Sequence, residues 1–451
     1  MSPIFTFLKP APAKKVTVTD TNELNKQYRY WRTRIMYTTM IGYILFYFVR
    51  KNISIAMPAI EADLGITKAE LGLFLTLHGV LYGVSKFVNG FWGDRTNPRY
   101  FMALGLILSA SMSLLFGLSS GVIAFGVFWL LNGWFQGMGF PPCANSLTNW
   151  FSARERGVKF SLWNTSHSLG AALVLVLNSF LVVYDWRYCF IVPAALAFVG
   201  ALFILNRLRD KPESLGLPPV EVYRNELPET GGEEQTDDLN FKQFVRKKVF
   251  GNPAIWFLCL ANLFLYTIRY SILDWGPTFL TEMKGVELQK AGWLVAGYEG
   301  FGVLGMLSSG WMMDKVFKGR GGRAALIYML VCTIAVFLFW KLPEESPLFY
   351  GLLLCVIGFF IYGPQALVGI IAANLGTKRA AATAIGITGL FGYLSTVLSG
   401  WGLGVIVTKG GWQMGFLTLV GAGVLATLFF AFTWNAGYIE SQPEGKDAKR
   451  V

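Results

Sequence analysis

The sequence predicts an all-α membrane protein of twelve transmembrane helices arranged as two related six-helix bundles. Three observations carry this. The 451 residues are 54% hydrophobic with a mean hydropathy of +0.47, too oily for a water-soluble protein of this size. The apolar residues fall into twelve stretches, each long enough for the ~20 residues a helix needs to cross the hydrocarbon core. Local patterns in the first half return about 220 residues later, as Tyr47-Phe-Val-Arg50 and Tyr266-Thr-Ile-Arg269, and as Gly90-Phe-Trp-Gly-Asp94-Arg95 and Gly310-Trp-Met-Met-Asp314-Lys315. Two unrelated motifs with nearly the same offset imply duplication.

The expected spans are 33–59, 69–92, 99–118, 121–145, 158–183 and 187–206 in the first half. In the second they are 253–280, 291–313, 322–341, 345–373, 379–407 and 412–435. Residues 1–32 form a polar, basic N-terminal tail without the pattern of a cleavable signal, and 436–451 form a C-terminal tail. The stretch 207–252, with Pro212, Pro218, Pro219, Gly231, Gly232 and a run of acids, reads as a linker between the bundles 33–206 and 253–435. Of the 39 Lys and Arg residues, 29 fall on the side of the tails and linker and 6 on the opposite side. The positive-inside rule then places both termini in the cytoplasm.

The remaining four cations, Arg50, Lys51, Lys86 and Arg269, lie inside the spans. A charge there costs at least about 2.5–3.5 kcal/mol, so such residues ordinarily face a polar cavity. Tyr43, Tyr47 and Arg50 share a face of span one at intervals of four and three, with Lys51 beside them, and His78, Tyr82 and Lys86 follow at intervals of four on span two. Span five offers Asn164 and His167, span seven Asn262, Tyr266 and Arg269, span ten Tyr362, and span eleven Tyr393. Span eight carries Glu299, the one acid expected at mid-helix. Lysine and arginine near a helix end also snorkel to the headgroups, a competing reading that weighs most on Lys51 and Lys86.

Two arginines from equivalent positions can clamp an oxyanion through their planar forks, and a third cation suits a dianion such as phosphate. Tyrosine, histidine and asparagine around the clamp would hydrogen-bond a hydroxylated organic portion. The net charge of +12 does not indicate nucleic acid, because the basic residues form no single soluble patch. The five cysteines have neither metal-ligand spacing nor a disulfide framework, and no metal or cofactor site is expected. No nucleophile–base constellation for an enzyme is visible, and the basic interior argues against a cation channel.

The chain resembles the organophosphate:phosphate antiporter family of the major facilitator superfamily. The resemblance rests on Tyr47-Phe-Val-Arg50-Lys51-Asn52, Tyr82-Gly-Val-Ser-Lys86-Phe87, Phe135-Gln136-Gly137-Met-Gly139, Trp163-Asn164-Thr-Ser-His167 and Tyr266-Thr-Ile-Arg269. It extends to Asp210-Lys-Pro-Glu-Ser-Leu-Gly-Leu-Pro218, Ile361-Tyr362-Gly363-Pro364-Gln365 and Gly389-Leu-Phe-Gly-Tyr393-Leu394. It implies exchange of inorganic phosphate for a sugar or glycerol phosphate across the bacterial inner membrane, with Arg50 and Arg269 on the phosphate and Lys86 and His167 assisting. The Gly-x-x-x-Asp-Arg/Lys segments resemble the superfamily's cytoplasmic loop motif, which implies gating roles for Asp94, Arg95, Asp314 and Lys315; Glu299 is grouped with them. Tyr28-Arg-Tyr-Trp-Arg32 and Asn97-Pro-Arg99 are most similar to the hexose-phosphate transporter and sensor branch. Enteric hexose-phosphate transporters carry an Asp-x-x-Lys pair on the eleventh helix where this chain has Ile385 and Thr388. Glycerol 3-phosphate transport, and a sensor that signals to a membrane kinase, therefore stay open.

Overall fold

Span one is not one helix. In the computed structural model, which describes residues 8–16, 20–93, 95–225, 241–341 and 347–436, it begins at an Asp20 cap whose side chain accepts the Glu23 N–H at 3.0 Å. Helix α1 (Thr21–Phe48) thus starts a dozen residues before the expected span, breaks at residues 49–52, and resumes as α2 (Ile53–Leu64). The break coincides with Arg50 and Lys51. The first half continues with α3 (Lys68–Gly93), α4 (Pro98–Leu118), α5 (Val122–Gln136), α6 (Phe140–Trp150), α7 (Ala153–Leu181) and α8 (Tyr188–Arg207). Span four is divided between α5 and α6 at Gly137-Met-Gly139, ahead of Pro141 and Pro142.

The short α9 (Val220–Tyr223) and α10 (Phe241–Val245) precede the second half: α11 (Pro253–Lys284), α12 (Leu288–Trp311), α13 (Gly321–Lys341), α14 (Pro347–Thr396) and α15 (Leu403–Phe432). Nine segments among the described residues are long and apolar enough to cross a membrane. The last of them, Thr383–Phe432, covers spans eleven and twelve. These part at Gly411, whose φ of 68° and ψ of 178° lie outside the range a side chain tolerates. Spans one and eight are the two expected ones not among the nine. The first is interrupted at its cations, and the other, α12, is diluted by glycine, Tyr298 and Glu299.

The duplication is carried in three dimensions. α2 ends at Gly65 (φ 65°) and α11 at Gly285 (φ 63°), left-handed caps 220 residues apart. Pro58 and Pro277 sit inside those helices 219 residues apart. Large apolar side chains such as Ile123, Val199, Leu202, Leu307 and Trp311 are exposed on the outside, as a lipid-facing surface requires.

Among the described residues, the contacts between the halves are densest at the end away from the chain termini. Pro277 cannot donate to the Leu273 carbonyl, and Ser54 from the other half donates there at 2.6 Å and to the Asp274 carbonyl at 2.9 Å. A π-helical turn at Val397–Gly402 frees the Thr396 carbonyl for the Thr76 hydroxyl at 2.7 Å. Lys68 bridges Glu61 (2.7 Å) and Glu282 (3.0 Å). Gly72 packs so tightly on the Gly400 backbone that an added Cβ would lie 2.5 Å from its oxygen.

The expected linker is only partly a spacer. Leu208, Leu217 and Val220 are almost fully buried. The Asp210 carbonyl accepts from Trp150 Nε1 at 2.9 Å, its carboxylate accepts the Ala11 N–H at 2.7 Å, and the Lys14 N–H donates to the Glu213 carbonyl at 2.8 Å. Tyr28 stacks on Tyr223 at 3.8 Å and donates to the Pro218 carbonyl. Residues 8–16 and 208–225 therefore strap across the terminus end of the first half. Residues 226–240 and the C-terminal tail from 437 lie outside the described residues.

Candidate functional site

A cavity of about 120 Å³ opens where α1, α3, α6, α7, α11 and α14 converge. Against the 10–15 Å³ that one water requires, this holds on the order of ten waters or a small organic molecule. Its lining includes Arg50, Arg269, Lys86, His167, Tyr43, Tyr47, Tyr82, Asn164, Tyr266 and Tyr393, all expected from the sequence. Phe140, Tyr270 and Gln365 complete it. Tyr270 stands one turn beyond Tyr266, and Gln365 one turn beyond Tyr362, a spacing that could have found both.

The three cations of the wall are held by aromatic rings, and no acid lines the cavity among the described residues. The Arg50 guanidinium lies 4.0 Å from the Tyr82 ring centre and 5.4 Å from that of Tyr47. Arg269 lies 4.6 Å from Tyr362 and 5.4 Å from both Tyr266 and Tyr270. Lys86 Nζ is 4.0 Å from the Phe140 ring and donates to the Tyr393 hydroxyl at 3.1 Å. Ring faces attract cations without neutralising them, so the positive potential remains available to a ligand. His167 Nδ1 donates to the Asn164 carbonyl, and its Nε2 is buried without a hydrogen-bond partner among the described residues.

Two expectations of direct ligand contact are corrected. Lys51 points away from Arg50, as neighbouring residues at a helix end do, and pairs with Asp274 in a buried contact between the halves. Tyr362 lies behind the wall: it accepts from Arg269 Nη2 at 3.0 Å and donates to Glu299. Glu299, grouped with the gates, is fully buried beside Tyr362 and joins the support of Arg269 instead. It is not the one acid at mid-helix, because Asp274 is buried on α11 as well. His78, on the stripe with Tyr82 and Lys86, turns from the cavity to Asn132 at 3.2 Å. Arg95, Asp314 and Lys315 are exposed at the terminus end, remote from the cavity, and Asp94 lies outside the described residues.

Around the cavity lie four basic side chains, Arg50, Lys51, Lys86 and Arg269, and two acidic ones, Asp274 and Glu299, so basic groups outnumber acidic ones by two. A membrane-embedded helical protein of two repeats with a charged cavity at their interface is built as a secondary transporter. The Major Facilitator Superfamily model matches residues 39–400, and the chain belongs to that superfamily of membrane transporters. It is similar to a probable hexose phosphate transport protein of Chlamydia pneumoniae, 41% identical over 95% of this chain and 97% of the relative. It is also similar to the glycerol-3-phosphate transporter of Bacillus subtilis (39%, covering 95% and 98%) and to the membrane sensor protein UhpC of Escherichia coli (40%, covering 94% and 97%). These relatives place it in the organophosphate:phosphate antiporter branch. Among solved structures, a bacterial homologue of the human lysosomal transporter Spinster superposes with a TM-score of 0.70 at 15% identity, covering 90% of this chain and 95% of that one, a likeness of fold.

Proposed function

We propose that the protein exchanges a sugar phosphate, hexose 6-phosphate first among them, for inorganic phosphate by alternating access across the bacterial inner membrane, with both termini in the cytoplasm. The observation that carries this is a cavity wall with three basic side chains and no acid among the described residues, in surroundings where basic groups are in excess of acidic ones by two. A phosphate monoester has its second pKa near 6 and is mostly a dianion at pH 7, which matches the excess. Arg50 and Arg269 contribute planar forks for the phosphate oxygens and Lys86 a point charge. His167, Asn164, Gln365 and the tyrosines would hydrogen-bond the organic portion.

In this orientation the close seam between the halves is the outer gate. An empty cavity keeps uncompensated cations in a low-dielectric interior, which disfavours closing the second gate. A bound phosphate neutralises them, so the carrier returns loaded, and inward sugar phosphate is coupled to outward phosphate. The double substitution Arg50→Gln with Arg269→Gln is expected to abolish phosphate exchange in proteoliposomes; exchange at the normal rate would refute the clamp. A sensor that binds the same ligand with little flux and acts on a membrane kinase is the second reading, favoured by the similarity to the Escherichia coli sensor. Glycerol 3-phosphate as cargo is favoured by the Bacillus relative.

A further inference from the structure

We infer that Asn132 and Gln136, neither of which touches the cavity, are positioning residues for Arg50: their amides hold open the break in span one from which Arg50 reaches the ligand. The inference rests on the proposed phosphate site. In an unbroken helix the Arg50 N–H would meet the Phe46 carbonyl. Here the Arg50 N–H turns instead to the Tyr47 carbonyl, at 3.2 Å, which also takes the regular helical bond from the Lys51 N–H at 2.9 Å, and the Phe46 carbonyl loses its Arg50 donor. Gln136 Nε2 donates to it at 3.0 Å, and Asn132 Nδ2 donates to the Val49 carbonyl at 3.1 Å.

Each amide has two N–H donors, and all four are used. The second bond of Gln136 goes to the Ser109 hydroxyl (3.0 Å) and that of Asn132 to the Ser109 carbonyl (3.0 Å). Carbonyl oxygens can only accept, so these partners fix which end of each amide is nitrogen. The Asn132 oxygen in turn faces His78 Nε2 at 3.2 Å, and both amides are almost fully buried. Without the amides, two backbone carbonyls would be stranded in the interior, and rewinding span one into a continuous helix would become the better way to satisfy Phe46. Rewinding rotates Arg50 off the Tyr82 face.

The test is titration of inorganic phosphate into the full-length protein in nanodiscs, for the wild type, Gln136→Met, Arg50→Lys and the pair. Gln136→Met keeps the volume and removes the donors; Kd is expected to rise roughly tenfold in the wild-type background. In the Arg50→Lys background, where the planar fork is already gone, it should change less than about twofold, because the two changes act on one interaction. A merely structural amide would produce the same loss in both backgrounds, and that result, or an unchanged Kd in the single variant, overturns the inference. Should Gln136→Met not yield folded protein, Gln136→Asn is read in the same way, since its amide is one methylene too short for Phe46. Hydrogen exchange over residues 46–52 supplies a readout without ligand: rewinding places the Arg50 N–H on the Phe46 carbonyl, so slower exchange at Arg50 is expected in the Gln136 variant, and unchanged or faster exchange overturns the inference. Wild-type protein that binds no phosphate would instead refute the proposed function and, with it, the ligand role inferred for the two amides.

Discussion

Replacing Asp274 by Asn strands the Lys51 ammonium in the seam between the halves. The two side chains are only 8% and 10% exposed, so water cannot take the carboxylate's place while the seam is closed. Breaking a buried pair by removing one partner costs about 3–5 kcal/mol. Ser54 keeps its bonds to the Leu273 and Asp274 carbonyls, since these are backbone acceptors. The penalty therefore falls on the closed seam through the lysine alone, and opening relieves it by letting water reach Nζ. The closed-to-open ratio should drop by at least on the order of a hundredfold. Ile55→Cys, which faces Gly292 across the seam, reports this as its rate of alkylation by a soluble maleimide, with Cys355, the half-buried native thiol, replaced by Ser. Alkylation should accelerate by that factor in Asp274→Asn and return close to the reference rate when Lys51→Met is combined with Asp274→Leu. An unchanged rate in Asp274→Asn would show that the pair does not hold the seam.

Arg269→Gln should weaken phosphate binding by about a hundredfold or more, because it removes a charged fork and leaves the Tyr362–Glu299 pair without its cation; titration of phosphate into nanodisc protein measures it. Tyr393→Phe removes a neutral partner of Lys86 and should weaken binding only a few-fold, whereas Lys86→Gln should weaken it about tenfold or more in the same titration. At the strap, burial pushes the Asp210 carboxyl above its ordinary range, more than the Ala11 N–H and Lys211 pull it down. The folded strap then binds this proton more tightly than the unfolded chain does, so its stability falls as pH rises from the ordinary carboxylate range through the folded pKa. Asp210→Asn keeps the acceptor for Ala11 and removes the charge; thermal unfolding at pH 7 should show it at least as stable as the wild type, with any advantage gone once pH falls below that range.

Much of the fold was legible because its signals are local. Apolar length marked the spans, and the paired motifs marked the repeat. Ten of the cavity residues followed from cations, tyrosines, a histidine and an asparagine set in oily sequence. The break in span one was not legible: no glycine or proline lies between Phe46 and Asn52, and the reason for it sits on α5, in Asn132 and Gln136. Lys51 was misread for the same reason, since its partner Asp274 lies 223 residues away in sequence. Glu299 and Tyr362 were recognised as unusual but misassigned, because only the packing of α12 against α14 shows that they support Arg269 from behind. The strap was hidden by its composition. Prolines and charges read as a spacer, while Leu208, Leu217 and Val220, which dock it, are spread too thinly to form a pattern.

The most direct test of the central claim is uptake of labelled phosphate into liposomes that contain the purified protein and are preloaded with unlabelled phosphate, with glucose 6-phosphate and glycerol 3-phosphate as external competitors. The account predicts rapid exchange that depends on internal phosphate and is suppressed most strongly by the hexose phosphate. Absence of exchange by protein that still binds phosphate would contradict it and leave the sensor reading.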